Sequence, residues 1–254
     1  MNQDYNVLLK NALDIIVSPK ERERVGIGMQ TEKTLHAVLK RMLDENISHH
    51  EQPVGPFIAD ILDREHITEI QTANMGYLRE KLEYFFSSGY TVTVVYPIPH
   101  RKHITWIDPE TGELGKRNSS TRTGTFFHAF RELYKIRRFL KEERLTVELF
   151  LIDMEEYRLQ DGWGHDGKRG SHRFDRIPTQ IYDHLLLQSP EDYHKLLTPV
   201  ITDELPEVFT SAQLQKSCHY VGPAFSHVPL LLTEMNVLER CGKQGRAYLY
   251  RIKE

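Results

Sequence analysis

The chain has 254 residues, 39% of them hydrophobic and 27% charged, with 33 Lys/Arg against 36 Asp/Glu and a net charge of −3. This composition suits one or two folded domains and excludes a chain that attracts nucleic acid by basicity throughout, so any such surface has to come from local charge. The longest apolar runs, "VTVVYPI" and "VPLLL", are too short to span a bilayer. The first residues lack a basic stretch followed by an apolar one, so a cytoplasmic location without a membrane partner is expected. Cys218 and Cys241 show no metal-ligand spacing and read as reduced thiols.

In chain order, residues 1–25 are polar with one short apolar cluster and are expected to be an extension. From Thr31 a helix carries Leu35, Val38, Leu39, Met42 and Leu43 on one face. Two strands, Val54–Leu62 and Ile67–Thr72, follow on either side of the polar "DREH". Asn74 can cap a second amphipathic helix bearing Leu78, Leu82, Phe85 and Phe86, which Gly89 ends. "TVTVVYPI" predicts a central strand, and "HITWIDPETGEL" a strand leading into a turn. Residues 116–144 carry nine Lys/Arg against three Glu, a local excess of +6. Within them, Leu133, Ile136 and Leu140 predict a helix that packs on the sheet. "LTVELFLID" reads as a buried strand and "DGWGHDGKRGSHRFDR" as a Gly-rich loop. A boundary near residue 200 separates a first domain, 26–200, from a second, 203–254.

The hairpin carries the chemistry. With "DREH" as a four-residue loop, Leu62 faces Ile67, Ile61 faces Thr68 and Asp60 falls opposite Glu69. Opposed residues have Cβ atoms about 4.5–5.5 Å apart, and period-two alternation sends Gln71 to the same face as Glu69. Two half-buried carboxylates repel unless neutralised, and hard oxygen ligands of this kind suit Mg²⁺ or Mn²⁺ completed by phosphate oxygens. Alternatively, Asp60 pairs with Arg64 or a nearby lysine and Glu69 faces solvent. Glu32 shares the inward stripe of the first helix with Leu35, His36 and Leu39. It could reach the same centre or simply favour the helix dipole.

The order of these elements, with "ADIL…ITEIQT" as D-x8-E-x-Q, resembles the PD-(D/E)XK nuclease superfamily core over roughly residues 30–155. That resemblance implies an α/β fold with a restriction-endonuclease-like mixed sheet flanked by helices. It makes Asp60 and Glu69 metal ligands, Glu32 the added helix acid and Gln71 the residue that positions water. Two features depart from the pattern: no Pro precedes Asp60, and Gln71 stands where the family usually has Lys. Lys81 on the following helix could supply a displaced positive charge.

Residues 203–254 resemble a small winged helix-turn-helix domain. Thr210 or Ser211 caps a short helix, Leu230, Leu231, Met235, Val237 and Leu238 mark a longer one, and "GKQG" turns into "RAYLYRI". In such a domain one helix enters the major groove, and Lys243, Arg246 and Arg251 meet phosphates. Winged helices also serve as protein-interaction units. Arg122, amid Ser119, Ser120, Thr121 and Thr123, offers further phosphate contacts, as do Lys168 and Arg169 in the Gly-rich stretch. The leading expectation is a metal-dependent DNA endonuclease acting on duplex DNA, with a homodimer suited to paired cuts. The alternative is a DNA-binding regulator that keeps a nuclease-like fold without catalysis.

Overall fold

The computed structural model describes residues 4–17, 34–163, 169–197, 205–218 and 225–253, with 161–163 and 169–172 as backbone only. The chain divides into two units. Unit 1 comprises Met1–Thr72, Val95–Thr125 and Phe150–His184, and unit 2 comprises Ala73–Val94, Phe126–Leu149 and Leu185–Glu254.

Unit 1 begins with helix α1, Tyr5–Ile16, whose N-cap Asp4 accepts the Asn6 N–H. Apolar residues at Tyr5, Leu8, Leu9, Ala12, Leu13 and Ile16 follow helical spacing and enter one core cluster. The segment expected as an extension is therefore part of the core, and Leu9 is only 1% exposed. Helix α2, Thr34–Leu43, adds Leu35, Val38, Leu39 and Met42 to the same cluster.

Strands β1 (His50–Val54), β2 (Phe57–Asp63) and β3 (His66–Ile70) form an antiparallel meander. Leu62 faces Ile67 and Ile61 faces Thr68, and the ladder continues to Asp63 and His66. The loop is thus the two residues Arg64 and Glu65 rather than four, with Arg64 in the left-handed region at φ 56°. Ile61 and Ile70 supply the sheet side of the core.

In unit 2, Asn74 caps a short 3₁₀ turn that runs into α3, Arg79–Ser87, which buries Leu82, Phe85 and Phe86. Gly89, at φ 90°, lets the chain leave that helix. Strand β4, Thr91–Ile107, then runs from unit 2 into unit 1 as one long element. β5, Asn118–Ser119, pairs with β4 through Ser119 and His103. Gly124 donates its N–H to the His100 carbonyl, and a Cβ there would stand 1.9 Å from the Pro99 oxygen. Only glycine fits so close a backbone approach.

The basic segment is not one α-helix. A 3₁₀ turn at Phe126–Ala129, α4 at Phe130–Leu133 and a 3₁₀ run at Tyr134–Phe139 replace it, with a kink at Ile136. Phe127, Phe130, Leu133 and Ile136 recur every three residues and are buried, a spacing that the three-residue 3₁₀ turn places in line.

β6 (Leu145–Trp163) and β7 (Arg169–Leu187) are 19 residues each. Most of the stretch expected as a Gly-rich loop therefore belongs to two long strands, and 164–168 lie outside the described residues. The large mixed sheet has the order β1-β2-β3-β4-β6-β7, with β5 on β4. The Asn6 side chain meets edge strand β7 through both its amide groups, donating to the Ile181 carbonyl at 3.0 Å and accepting the Ile181 N–H at 2.8 Å. That contact satisfies edge-strand backbone groups that would otherwise invite another strand.

The C-terminal part of unit 2 holds β8 (Phe209–Thr210), α5 (Ser211–Ser217), α6 (His227–Glu234), β9 (Leu238–Gln244) and β10 (Ala247–Ile252), with sheet order β8-β10-β9. Thr210 and Gln213 close a capping box. α6 is shorter than the apolar pattern suggests: Asn236 turns left-handed at φ 59°, so Val237 and Leu238 lead into β9. The β9–β10 turn is Gly245–Arg246, and a register shift beside Leu249 and Tyr250 interrupts the ladder. Tyr248, Tyr250 and Ile252 share one strand face by period, yet only Tyr250 is buried, because β10 meets β8 only at Leu249 and Tyr250.

Leu9→Ala is expected to cost about 2–5 kcal/mol of unfolding free energy, read by urea denaturation, while exposed Val7→Ala leaves the midpoint nearly unchanged. Equal, small effects would mean that α1 is not part of the cooperative core.

Candidate functional site

The hairpin register leaves Asp60 and Glu69 at the rung beyond Ile61 and Thr68. Asp60 is half-buried, and its Oδ2 accepts the Ile70 N–H at 2.7 Å and lies 3.2 Å from His36 Nε2. The strand pairing gives way there to a side chain that ties α2 to β3. Glu69 is 2% exposed, so it does not face solvent. Gln71 is half-buried, and its N–H donates to the Val95 carbonyl on β4. Among the described residues, no group of three His, Cys, Asp or Glu side chains could hold a metal ion. Glu32 lies outside the described residues.

Further along the unit 1 sheet, a cluster that the sequence reading missed surrounds Glu156, which is 1% exposed. Arg158 Nε donates to its Oε1 at 2.6 Å, while Lys102 Nζ and Arg173 Nε lie 3.4 and 3.5 Å from Oε2. Burial alone would raise the Glu156 pKa. Lys102, Arg158 and Arg173 outweigh it and hold the carboxyl below its ordinary value. Arg176, 8% exposed, sits close enough to feel Glu156 and Arg173, and burial presses its own pKa down. The available signal was period two: Glu156 continues the apolar face of Ile152 and Met154, where an acid calls for a buried counter-charge.

Neighbouring Asp175 accepts from both the N–H and the hydroxyl of Thr34 at the start of α2. His100 Nδ1 lies 2.7 Å from Asp153 Oδ1, and its ring stacks on Tyr182 at a centroid separation of 3.7 Å.

In unit 2, a cleft of about 600 Å³ is lined by Arg79, Lys135, Arg137, Arg138, Lys141, Glu234 and Met235. Lys135 pairs with Glu132, Arg138 with Glu83, and Arg137 with Glu234 at 3.6 Å. Arg79 donates through Nε to the Lys135 carbonyl. Neither Arg79 nor Lys141 has an acidic partner among the described residues. The sequence located this charge, but the kinked backbone decides which cations share a cleft.

The other phosphate-contact candidates are dispersed. Arg122 is exposed beside β4, and its backbone N–H donates to Ser120 Oγ. Lys243 and Arg246 are exposed on the β9–β10 hairpin, where Lys243 Nζ lies 4.8 Å above the Tyr248 ring. Arg251 pairs with Glu239. Lys168 lies outside the described residues, and Arg169 is placed in β7 by its backbone alone. Both cysteines are free thiols, and burial pushes Cys218 up to about 11.

Glu156→Gln is expected to destabilise the protein at neutral pH. A carboxyl held below its ordinary pKa contributes stability above about pH 4.3 and loses it as pH falls through the folded value. The gap between variant and parent denaturation midpoints should therefore close on acidification. A gap that is unchanged at pH 7 and pH 3 would contradict the assigned balance.

An uncharacterized protein of Treponema pallidum (strain Nichols) is 27% identical over 226 residues, covering 87% of this chain and 85% of that protein. No solved structure matches this chain. The profile of the Domain of unknown function (DUF8091) matches residues 33–188, which take in the hairpin, the central strands and the Glu156 cluster. The chain belongs to the DUF8091 family.

Proposed function

We propose that this protein binds duplex DNA as a non-catalytic regulator, with the basic cleft of unit 2 as its phosphate-contacting surface. The observation that carries this reading is the convergence of Arg79, Lys135, Arg137, Arg138 and Lys141 on one cleft with a single lining acid, Glu234. Clustered Lys and Arg bind phosphates by charge and counterion release, independently of base sequence. Helices α5 and α6 followed by the β9–β10 hairpin support a winged-helix assignment for residues 203–254, with exposed Lys243 and Arg246 as further phosphate contacts. Arg122, Lys168 and Arg169 are separate candidate phosphate contacts read from the sequence. The protein would act in the cytoplasm, and a two-fold dimer would suit a symmetric duplex site.

Replacing Arg79 and Lys141 together by Gln should weaken duplex binding and reduce the salt slope of log K by about two. Fluorescence anisotropy across a salt series measures both. Unchanged affinity and slope would exclude the cleft as the contact surface.

A second reading, metal-dependent phosphodiester hydrolysis on a restriction-endonuclease-like core, draws on buried Glu69 beside Asp60 in the hairpin register. Asp60, Glu69 and Glu32 would hold Mg²⁺ or Mn²⁺, which polarises a phosphodiester and activates water, and Gln71 would orient that water. The demands on Asp60 from His36 and the Ile70 N–H weigh against this reading. Calorimetric titration with Mn²⁺ separates the two: a site lost in Glu69→Gln supports the nuclease, and no metal site supports the regulator.

A further inference from the structure

One carboxylate cannot neutralise four cations. Glu156 is surrounded by Lys102, Arg158, Arg173 and Arg176, all within unit 1. Adding Asp175, which also acts on Arg176, still leaves an excess of positive charge. The acids are also committed: Asp175 caps Thr34, and both Glu156 oxygens have cationic neighbours.

The donors are not. A guanidinium offers five N–H groups, yet Arg176, 8% exposed, makes one side-chain hydrogen bond among the described residues, from Nη2 to the Thr72 carbonyl at 3.4 Å. Leaving charged donors unpaired away from water is costly. Arg173 and Lys102 are partly open to solvent, with side chains 50% and 22% exposed, so the cluster has an approach from outside. A planar fork with spare donors, flanked by a second arginine and a lysine, matches the tetrahedral oxygens of a phosphate group.

We propose that Lys102, Arg158, Arg173 and Arg176, organised around Glu156, form a binding site for a phosphate group. Glu156 orients Arg158, Arg173 and Lys102 and keeps them from repelling one another when the site is empty. Arg176 supplies the buried donors. The site is distinct from the unit 2 cleft and does not depend on the regulatory reading.

The full chain is titrated calorimetrically with inorganic phosphate at constant ionic strength, with chloride as the balancing anion. Saturable binding is expected, at least tenfold weaker in Arg173→Gln and in Arg176→Lys and unchanged in Lys10→Gln at an exposed position of α1. If Arg176→Lys fails to fold by circular dichroism, half-exposed Arg173→Gln carries the test. A 5′-phosphorylated dinucleotide compared with its 5′-hydroxyl form identifies the source. Phosphate-dependent binding of the dinucleotide supports a nucleotide end, and binding of inorganic phosphate alone supports a free-anion site. No saturable binding of either, or equal affinity in Arg173→Gln and the parent, overturns the proposal.

Discussion

Charge taken out of water must be met by opposite charge or by hydrogen-bond donors, and that requirement ties this chain together at four buried or half-buried acids. Asp60 joins α2 to β3 through His36 and the Ile70 N–H. Asp175 fastens the start of α2 to β7. Glu132 accepts the Met75 N–H and pairs with Lys135 inside unit 2. Glu156 gathers cations from β4, β6 and β7. The contacts of Asp60, Asp175 and Glu156, and the bond from Met75 to Glu132, join residues that are distant in sequence.

This use of acids explains how a chain of net charge −3 can still present basic surfaces. Carboxylates at interior positions are consumed by structure, whereas several arginine heads rest on aromatic rings. Arg137 lies over Tyr134, Arg138 over Phe139 and Arg144 over Phe86, at 4.4, 4.6 and 5.5 Å from the ring centroids. Stacking of this kind limits side-chain freedom, which reduces the entropy lost when a polyanion docks. Whole-chain charge is thus a poor guide to partners here, and the local balance around each cleft is a better one.

The hairpin register was legible because two alternating strands flank a short polar loop, and the Asn74 cap and Gly89 exit because their chemistry is local. α1 was readable in principle, since Tyr5, Leu8, Leu9, Ala12, Leu13 and Ile16 hold helical spacing, but its polar residues obscured that stripe. The ends of β6 and β7 at 161–163 and 169–176 were not legible, because the Gly, Asp and Lys around them signal a loop by composition and only the sheet reveals strands. Of the candidate site, the acids at Asp60 and Glu69 stood out as polar residues within apolar strands. The Glu156 cluster did not, because its cations are spread from Lys102 to Arg176 and no short motif unites them. The contacts of Asp60 are equally non-local: they link helix α2 to strand β3.

The central claim is that a nucleic-acid phosphate backbone lies along the 3₁₀ run and α6 in unit 2. Hydrogen–deuterium exchange with and without a saturating DNA duplex tests it most directly. Slower exchange at residues 134–141 and 227–235 is the expected result. Protection only in the hairpin at 57–70, or none despite saturation, would contradict it.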